Sequence, residues 1–172
     1  VYLISLTVKE DHMGFNIAIP ALTPDLERVL IDAATIERRV DELAAQINED
    51  YKDITEPLIL VGVLKGSFIF LSDLCRKITV PHVIDFIAVS SYGSGTRSSG
   101  NVRLIMDTRE NQENRHVLIV EDILDSGFTL DYLDRTFSAR GTKSVKNIVL
   151  LDKPDRHTVP VKNIVLLDKP DR

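Results

Sequence analysis

Apolar residues in this chain are bunched into short runs, set between longer stretches in which they recur every three or four positions. Leu58 to Leu64, Val117 to Val120 and Val145 to Leu151 are nearly unbroken, a pattern that predicts strands buried on both faces. Val83 to Val89 predicts another strand, Val29-Leu30-Ile31 a short one after a turn bracketed by Pro20 and Pro24, and Val102 to Met106 a strand that returns. Ile36, Val40, Leu43 and Ile47 share one face at helical spacing, so a helix is expected from an Asp32 N-cap to about Tyr51. Ser67 to Ile78 and Thr129 to Arg140 predict two more helices, the second stopped by Gly141. Arg109 to His116 is charged and without apolar period, and is expected to be a surface connection. Strands alternating with helices imply right-handed crossovers and an α/β fold, with a parallel sheet covered on both faces.

The chain has 172 residues, 44% hydrophobic and 27% charged, which suits one globular domain with a substantial core. Its formal net charge of −5 argues against a nucleic-acid or anionic-membrane partner and requires that an anionic ligand be met by local groups. Cys75 is the only cysteine; a single thiol cannot staple the chain, and a reduced, cytoplasmic setting is expected. Val1 to Val8 is apolar but short for a spanning helix and has no basic residues ahead of it. With Met13 further in, the first dozen residues are expected to lie outside the natural domain.

Val145 to Arg156 (VKNIVLLDKPDR) recurs letter for letter as Val161 to Arg172. Two copies do not make a repeat architecture, which needs several diverged units to bury a continuous core, so the reading is a duplication, an artificial addition or a sequence error. Only His157 to Pro160 separates the copies, whereas a parallel neighbour needs a crossover of about a dozen residues. The second copy is therefore expected to run antiparallel, to sit at an edge or to hang loose. Lys153 and Lys169 are rivals for one position, and Lys153 is preferred because its connection to the preceding helix has the natural length. The divisions expected are an N-terminal extension over 1–24, a core over 25–156 and an atypical tail over 157–172.

Chemistry concentrates between Val117 and Leu130. An apolar strand runs into Glu121 and Asp122, and then Asp125-Ser126-Gly127-Phe128-Thr129 opens a helix. Such a turn can aim several backbone N–H groups at one point with the positive end of a helix behind them, which suits a phosphate. Carboxylates only accept hydrogen bonds, so the two acids suit a sugar diol instead. Adjacent residues on an ideal strand face opposite ways, and the pair can reach one ligand only if the strand bends there. Other roles remain open: Glu121 and Asp122 as a solvated strand end, Asp125 as an N-cap worth roughly 0.5–2 kcal/mol, Lys65 and Lys153 as surface lysines, and the Ser90 to Gly100 loop as a plain connector. Gly93-Ser94-Gly95 lacks the third glycine and the helix of a dinucleotide fingerprint. His12, His82, His116 and His157 show no ligand spacing, and Asp107, Asp152 and Asp155 are expected to be loop or strand-end acids.

The Val117 to Leu130 stretch resembles the phosphoribosyl-pyrophosphate motif of type I phosphoribosyltransferases. Leu64-Lys65-Gly66-Ser67, Ser90-Ser91-Tyr92-Gly93 and Leu150-Leu151-Asp152-Lys153-Pro154 narrow the resemblance to the hypoxanthine-guanine phosphoribosyltransferase family, in order and spacing from about Asp25 to Lys162. The resemblance implies magnesium-dependent transfer of ribose 5-phosphate from its pyrophosphate to hypoxanthine or guanine in purine salvage, giving IMP or GMP. It implies Glu121 and Asp122 on the ribose hydroxyls and magnesium, and Asp125 as the base toward a purine ring nitrogen. Ser126, Gly127, Phe128 (through its backbone) and Thr129 would hold the 5-phosphate. Lys65 and Gly66, after a cis Leu64-Lys65 peptide, would meet pyrophosphate, with Ser91 and Tyr92 reaching it from a closing loop. Lys153 would pair with the purine 6-oxo group; an ammonium has donors only and cannot pair with the 6-amino donor of adenine. A homodimer or homotetramer is implied. The family also carries a purine-stacking aromatic segment after this lysine, where the present chain has the second copy. The competing readings are a regulatory RNA-binding relative of the same fold and a folded but inactive phosphoribosyltransferase.

Overall fold

The computed structural model describes residues 31–92, 101–161 and 167–168. Helix α1 (Ala33–Asp50) begins where expected, because the Asp32 side chain accepts from Thr35 N at 2.7 Å and satisfies one of the unpaired first-turn donors. Its apolar stripe buries Val40, Leu43, Ala44 and Ile47. Strand β1 (Leu58–Leu64) has the predicted bounds, and helix α2 (Phe68–Cys75) follows it. This helix is shorter than Ser67 to Ile78: the chain turns off beyond Cys75, Ile78 is buried outside the helix, and Asn48 Oδ1 accepts from Thr79 N at 2.7 Å.

Strand β2 (His82–Tyr92) pairs antiparallel with β3 (Asn101–Met106), the predicted returning strand. The expected loop from Ser90 therefore starts later, since Ser90, Ser91 and Tyr92 are ladder residues opposite Arg103, Val102 and Asn101. Its remainder, including Gly93-Ser94-Gly95, lies outside the described residues, as do Val29 and Leu30; Ile31 is in no strand. Strand β4 (His116–Leu124) continues through Glu121 and Asp122 where an end at Val120 was expected, because β5 (Ser144–Asp152) goes on pairing with it to Leu124. Between them, helix α3 (Phe128–Ala139) closes on Arg140, and Gly141 takes the left-handed φ of +73° that ends it.

The sheet order is β3-β2-β1-β4-β5-β6, parallel throughout except for β3. Strand β6 (Leu167–Asp168) belongs to the second copy: of the three alternatives it takes the place at an edge, and it runs parallel to β5 and not antiparallel, Leu167 opposite Leu151 and Asp168 opposite Asp152. Among the described residues of the second copy, these two pair with β5.

Alternation along the central strands divides the core. Leu58, Leu60, Leu118, Val120, Ile148 and Leu150 face α1 and α2, whereas Ile59, Val61, Val117, Ile119 and Val149 face α3. Full burial of each such side chain contributes about 1.5–3 kcal/mol. The Arg109 to His116 connection lies over the bottom of this frame, with Asp85 Oδ2 accepting from Arg109 N and Glu110 N at 2.7 and 2.8 Å, and Arg115 donating to Pro57 O at 2.7 Å.

Candidate functional site

Strand order reverses at β1: the chain moves to β2 and β3 on one side and then returns to β4 on the other. Such a switch point leaves a crevice at the carboxyl ends of the two strands. The β1–β4 ladder ends at Gly62 opposite Val120. Past that point β1 keeps pace with β2 to Leu64, and β4 with β5 to Leu124, so the two central strands diverge. Every predicted residue whose side chain is described lies at this end of the sheet.

The β1 turn enters the crevice through a cis Leu64-Lys65 peptide, as the resemblance implied. Ser67, fully buried, anchors the turn by donating from Oγ to Val63 O at 2.8 Å. Lys65 is exposed. Gly66 lies so close to Asp122 that an added Cβ would stand 2.3 Å from Oδ2 and 2.6 Å from Cγ. The Lys65-Gly66 turn and the second acid therefore form one wall, and a larger residue at position 66 fits only if the Asp122 carboxylate shifts.

Glu121 and Asp122 meet within β4, whose ladder with β5 resumes past them at Ile123 and Leu124. The longer Glu121 side chain folds back, its Oε1 accepting from Asp122 N at 3.2 Å. Burial pushes the Glu121 carboxyl well above the usual carboxylate range, and the neighbouring Asp122 carboxyl adds to the rise as hydrogen-bond partner and as like charge. Two acids held this way are poised to gain from a cation or from donor hydroxyls. Among the described residues no three His, Cys, Asp or Glu side chains cluster as a metal cage.

Asp125 is not the N-cap of α3. That position belongs to Gly127, at φ +87°, and no side chain caps the helix. The first-turn N–H groups of α3 thus have no side-chain acceptor, as a phosphate cradle requires. Gly127 is needed twice over: for its left-handed φ, and because a Cβ there would lie 2.7 Å from Val159 O. Ser126, Phe128 and Thr129 flank it, half-buried.

The segment after β5 is tied to this loop. Lys153 N donates to Leu124 O at 3.0 Å, and Thr158 N to Ser126 O at 2.9 Å. The Lys153 ammonium is 4.0 Å from Asp125 Oδ1, so the two predicted base-reading residues come together. Lys169 lies outside the described residues. Ser91 and Tyr92 close β2, four residues past Ala88, the partner of Leu64; the strand thus overshoots β1 by about 13 Å. Their side chains lie outside the described residues.

Sequence reasoning missed two contacts. Arg156 Nε lies 2.8 Å from Asp125 Oδ1. That oxygen is shielded from solvent and accepts no hydrogen bond of good geometry, so the guanidinium is near in charge but badly aimed. His157 Nε2 is 2.6 Å from Asp152 Oδ1, and Asp152, expected to be a simple strand-end acid, is only 5% exposed. The signal available was the close spacing of Asp152, Lys153, Arg156 and His157 directly after a buried strand.

Residues 30–171 match the phosphoribosyl transferase domain family. The chain is 47% identical over 131 residues to the hypoxanthine phosphoribosyltransferase of Salmonella typhimurium, covering 76% of this chain and 74% of that one. It is 48% identical over 130 residues to the hypoxanthine-guanine phosphoribosyltransferase of Bacillus subtilis, covering 76% and 71%. A crystal structure of a hypoxanthine phosphoribosyltransferase from Staphylococcus aureus superposes with a TM-score of 0.79 at 40% identity, covering 88% of this chain and 82% of that one. With a divergent β1–β4 crevice, a cis turn against an acid pair and an uncapped helix behind Gly127, the chain belongs to the hypoxanthine-guanine phosphoribosyltransferase family.

Proposed function

We propose that this site transfers the 5-phosphoribosyl group from phosphoribosyl pyrophosphate to hypoxanthine or guanine, with magnesium, giving IMP or GMP and pyrophosphate. The observation that carries the reading is the shielded Asp125 Oδ1, without a well-aimed donor and 4.0 Å from the Lys153 ammonium. An acceptor beside a cationic donor complements a ring N–H beside a 6-oxo group. Adenine would set its 6-amino donor against Lys153, donor against donor.

In the reaction the bond from the anomeric carbon to pyrophosphate oxygen breaks as the bond to a purine ring nitrogen forms, and Asp125 takes the ring proton. Ser126, Gly127 and the N–H groups of Phe128 and Thr129 hold the 5-phosphate in the α3 cradle. The Lys65-Gly66 turn meets the departing pyrophosphate, whose charge grows in the transition state. Ser91 and Tyr92 approach from the β2–β3 arm and exclude water. Glu121 and Asp122 fit both the ribose diol and magnesium: two acids whose mutual repulsion a divalent ion relieves, with the remaining ligands coming from substrate oxygens, as that ion commonly binds. Magnesium, when bound, supplies charge neutralisation at the pyrophosphate.

Residues 25–156 are the catalytic core in this reading, and residues 157–161 brace the phosphate loop through Thr158 and Val159. The lone, half-buried Cys75 supports a reducing compartment such as the cytoplasm, and no described helix is long and apolar enough to cross a membrane. We place the chain in a homodimer or homotetramer on the resemblance alone. Incubation with phosphoribosyl pyrophosphate, magnesium and each purine tests the proposal. Nucleotide from hypoxanthine or guanine, abolished by chelation, is expected. Turnover of adenine at a similar rate, or sugar-phosphate binding without product from any base, overturns it.

A further inference from the structure

Two cations converge on Asp125, whereas a purine edge calls for one. Lys153 precedes and Arg156 ends a short 3-10 turn over Pro154–Arg156, closed by Arg156 N donating to Lys153 O at 2.9 Å. Side chains three apart eclipse in such a turn, so both reach the same side. The turn is fixed at its base, where His157 pairs with buried Asp152 and Lys153 N bonds to Leu124 O. The Arg156 side chain is 62% exposed, and its Nε is 2.8 Å from the same Asp125 oxygen that Lys153 approaches at 4.0 Å.

We infer that Arg156 is a built-in stand-in for the base: in the ligand-free chain its guanidinium occupies the acceptor on Asp125 that a 6-oxopurine N–H needs, and the purine enters by displacing it. The inference rests on the assignment of Asp125 and Lys153 to the base. Three features fit a placeholder better than a permanent partner. The contact has charge but poor hydrogen-bond geometry, so a ring N–H that can align gains what the guanidinium forgoes. The arginine is largely in water and can swing out without a burial penalty. Lys153, set further back, is left to read the 6-oxo group once Arg156 leaves.

Displacing an exposed ion pair is a modest handicap, so Arg156→Ala is expected to lower the KM for hypoxanthine and the KM for guanine by about two- to fivefold, with the KM for phosphoribosyl pyrophosphate unchanged. Arg156→Lys should show a smaller effect of the same sign. A general loss of structure would instead raise all three constants. An unchanged or raised KM for both bases overturns the inference and makes Arg156 a bystander or a helper. A second readout needs no turnover: the Arg156 Nε–H resonance should move in Asp125→Asn, and move in wild type on adding hypoxanthine. A resonance indifferent to Asp125→Asn, or to bound ligand, also overturns it. A purine-dependent shift in a chain that forms no nucleotide would instead sink the transferase reading and leave the displacement standing.

Discussion

Gly66→Ala sets the wall of the crevice against itself. The new Cβ would begin 2.3 Å from Asp122 Oδ2 and 2.7 Å from Oδ1, far inside van der Waals contact, so either the Lys65-Gly66 turn or the carboxylate must retreat. The turn is the less free of the two, because Ser67 is fully buried and its N and Oγ both bond to Val63 O. Asp122 is the part that gives, and it lies beside a Glu121 carboxyl already destabilised as an anion. Overpacking of this kind costs about 1–3 kcal/mol. In a domain of this size that is a fall in Tm of roughly 2–12 °C. The loss of phosphoribosyl pyrophosphate binding should exceed what the stability loss alone would cause, since a misplaced acid and a displaced turn both touch that ligand in the proposed reaction. Differential scanning fluorimetry with isothermal titration of the sugar phosphate measures both quantities. The double variant with Asp122→Ala removes the atoms in the way and should recover most of the lost Tm but none of the binding, a coupling of about 1–3 kcal/mol in the cycle. If Gly66→Ala melts with wild type and binds as wild type does, the close approach is wrong and so is the shared wall.

Other expectations bear on different parts of the molecule. Lys153→Ala removes a charged donor and should lower kcat/KM for hypoxanthine by about 10- to 150-fold, the equivalent of 1.5–3 kcal/mol, while narrowing the preference over adenine; parallel assays with the two bases would refute this if the ratio held. Phe137, with no exposed surface and Arg140 Cζ 5.3 Å from its ring centre, anchors α3 on the sheet. Phe137→Ala should cost about 3–5 kcal/mol in urea unfolding, and a loss under 1 kcal/mol would contradict the burial. Burial, with Lys143 and Lys146 nearby, holds the His116 imidazole below its ordinary 6.5. The unfolded chain then binds the extra proton first, so stability should fall as pH drops through about 6.5, and His116→Gln should flatten that slope. Urea midpoints at pH 7.5 and 5.5 that rise on acidification would refute the sign.

Strand and helix positions were legible wherever one residue faced one environment. Leu58 to Leu64 is apolar at nearly every position because β1 has neighbours on both edges and helices on both faces, and its bounds are those read from sequence. Asp32 announced α1 because a local hydrogen bond to Thr35 is all a cap requires. The errors arise where the environment is set by a distant partner. Glu121 and Asp122 read as a strand end because acids are rarely ladder residues, yet β5 carries β4 on to Leu124. Ser90 to Tyr92 read as loop because Ser and Gly are poor strand formers, yet β3 extends β2 to Tyr92. The Asp125 to Thr129 turn was legible as a cradle since its chemistry is local. Arg156 on Asp125 was not, because the contact spans the whole of α3 and β5.

The duplicated segment shows the limit most sharply, since twelve identical residues cannot differ in propensity. Their fates differ because of what precedes each copy. Before Val145 stands α3, whose end at Gly141 returns the chain across the sheet directly beside β4, and Lys143 N is caught by Arg115 O at 2.9 Å, so the first copy enters the ladder from Ser144 onward. Before Val161 stand only a 3-10 turn and a segment bound to Ser126, which leave the chain at the carboxyl end of β5, the wrong end from which to start a parallel strand. A second copy that pairs parallel therefore cannot enter the ladder at its first residue, and the described pairs are Leu167 with Leu151 and Asp168 with Asp152. That pairing joins identical positions of the two copies, sixteen residues apart. The slot beside Asp125 therefore goes to Lys153 by order of arrival and not by sequence. Removing residues 162–172 should leave the Lys153–Asp125 geometry, and with it the IMP affinity, within about twofold, because β6 adds only two ladder residues at an edge. A larger loss on that truncation would mean that the second copy supports the base site directly.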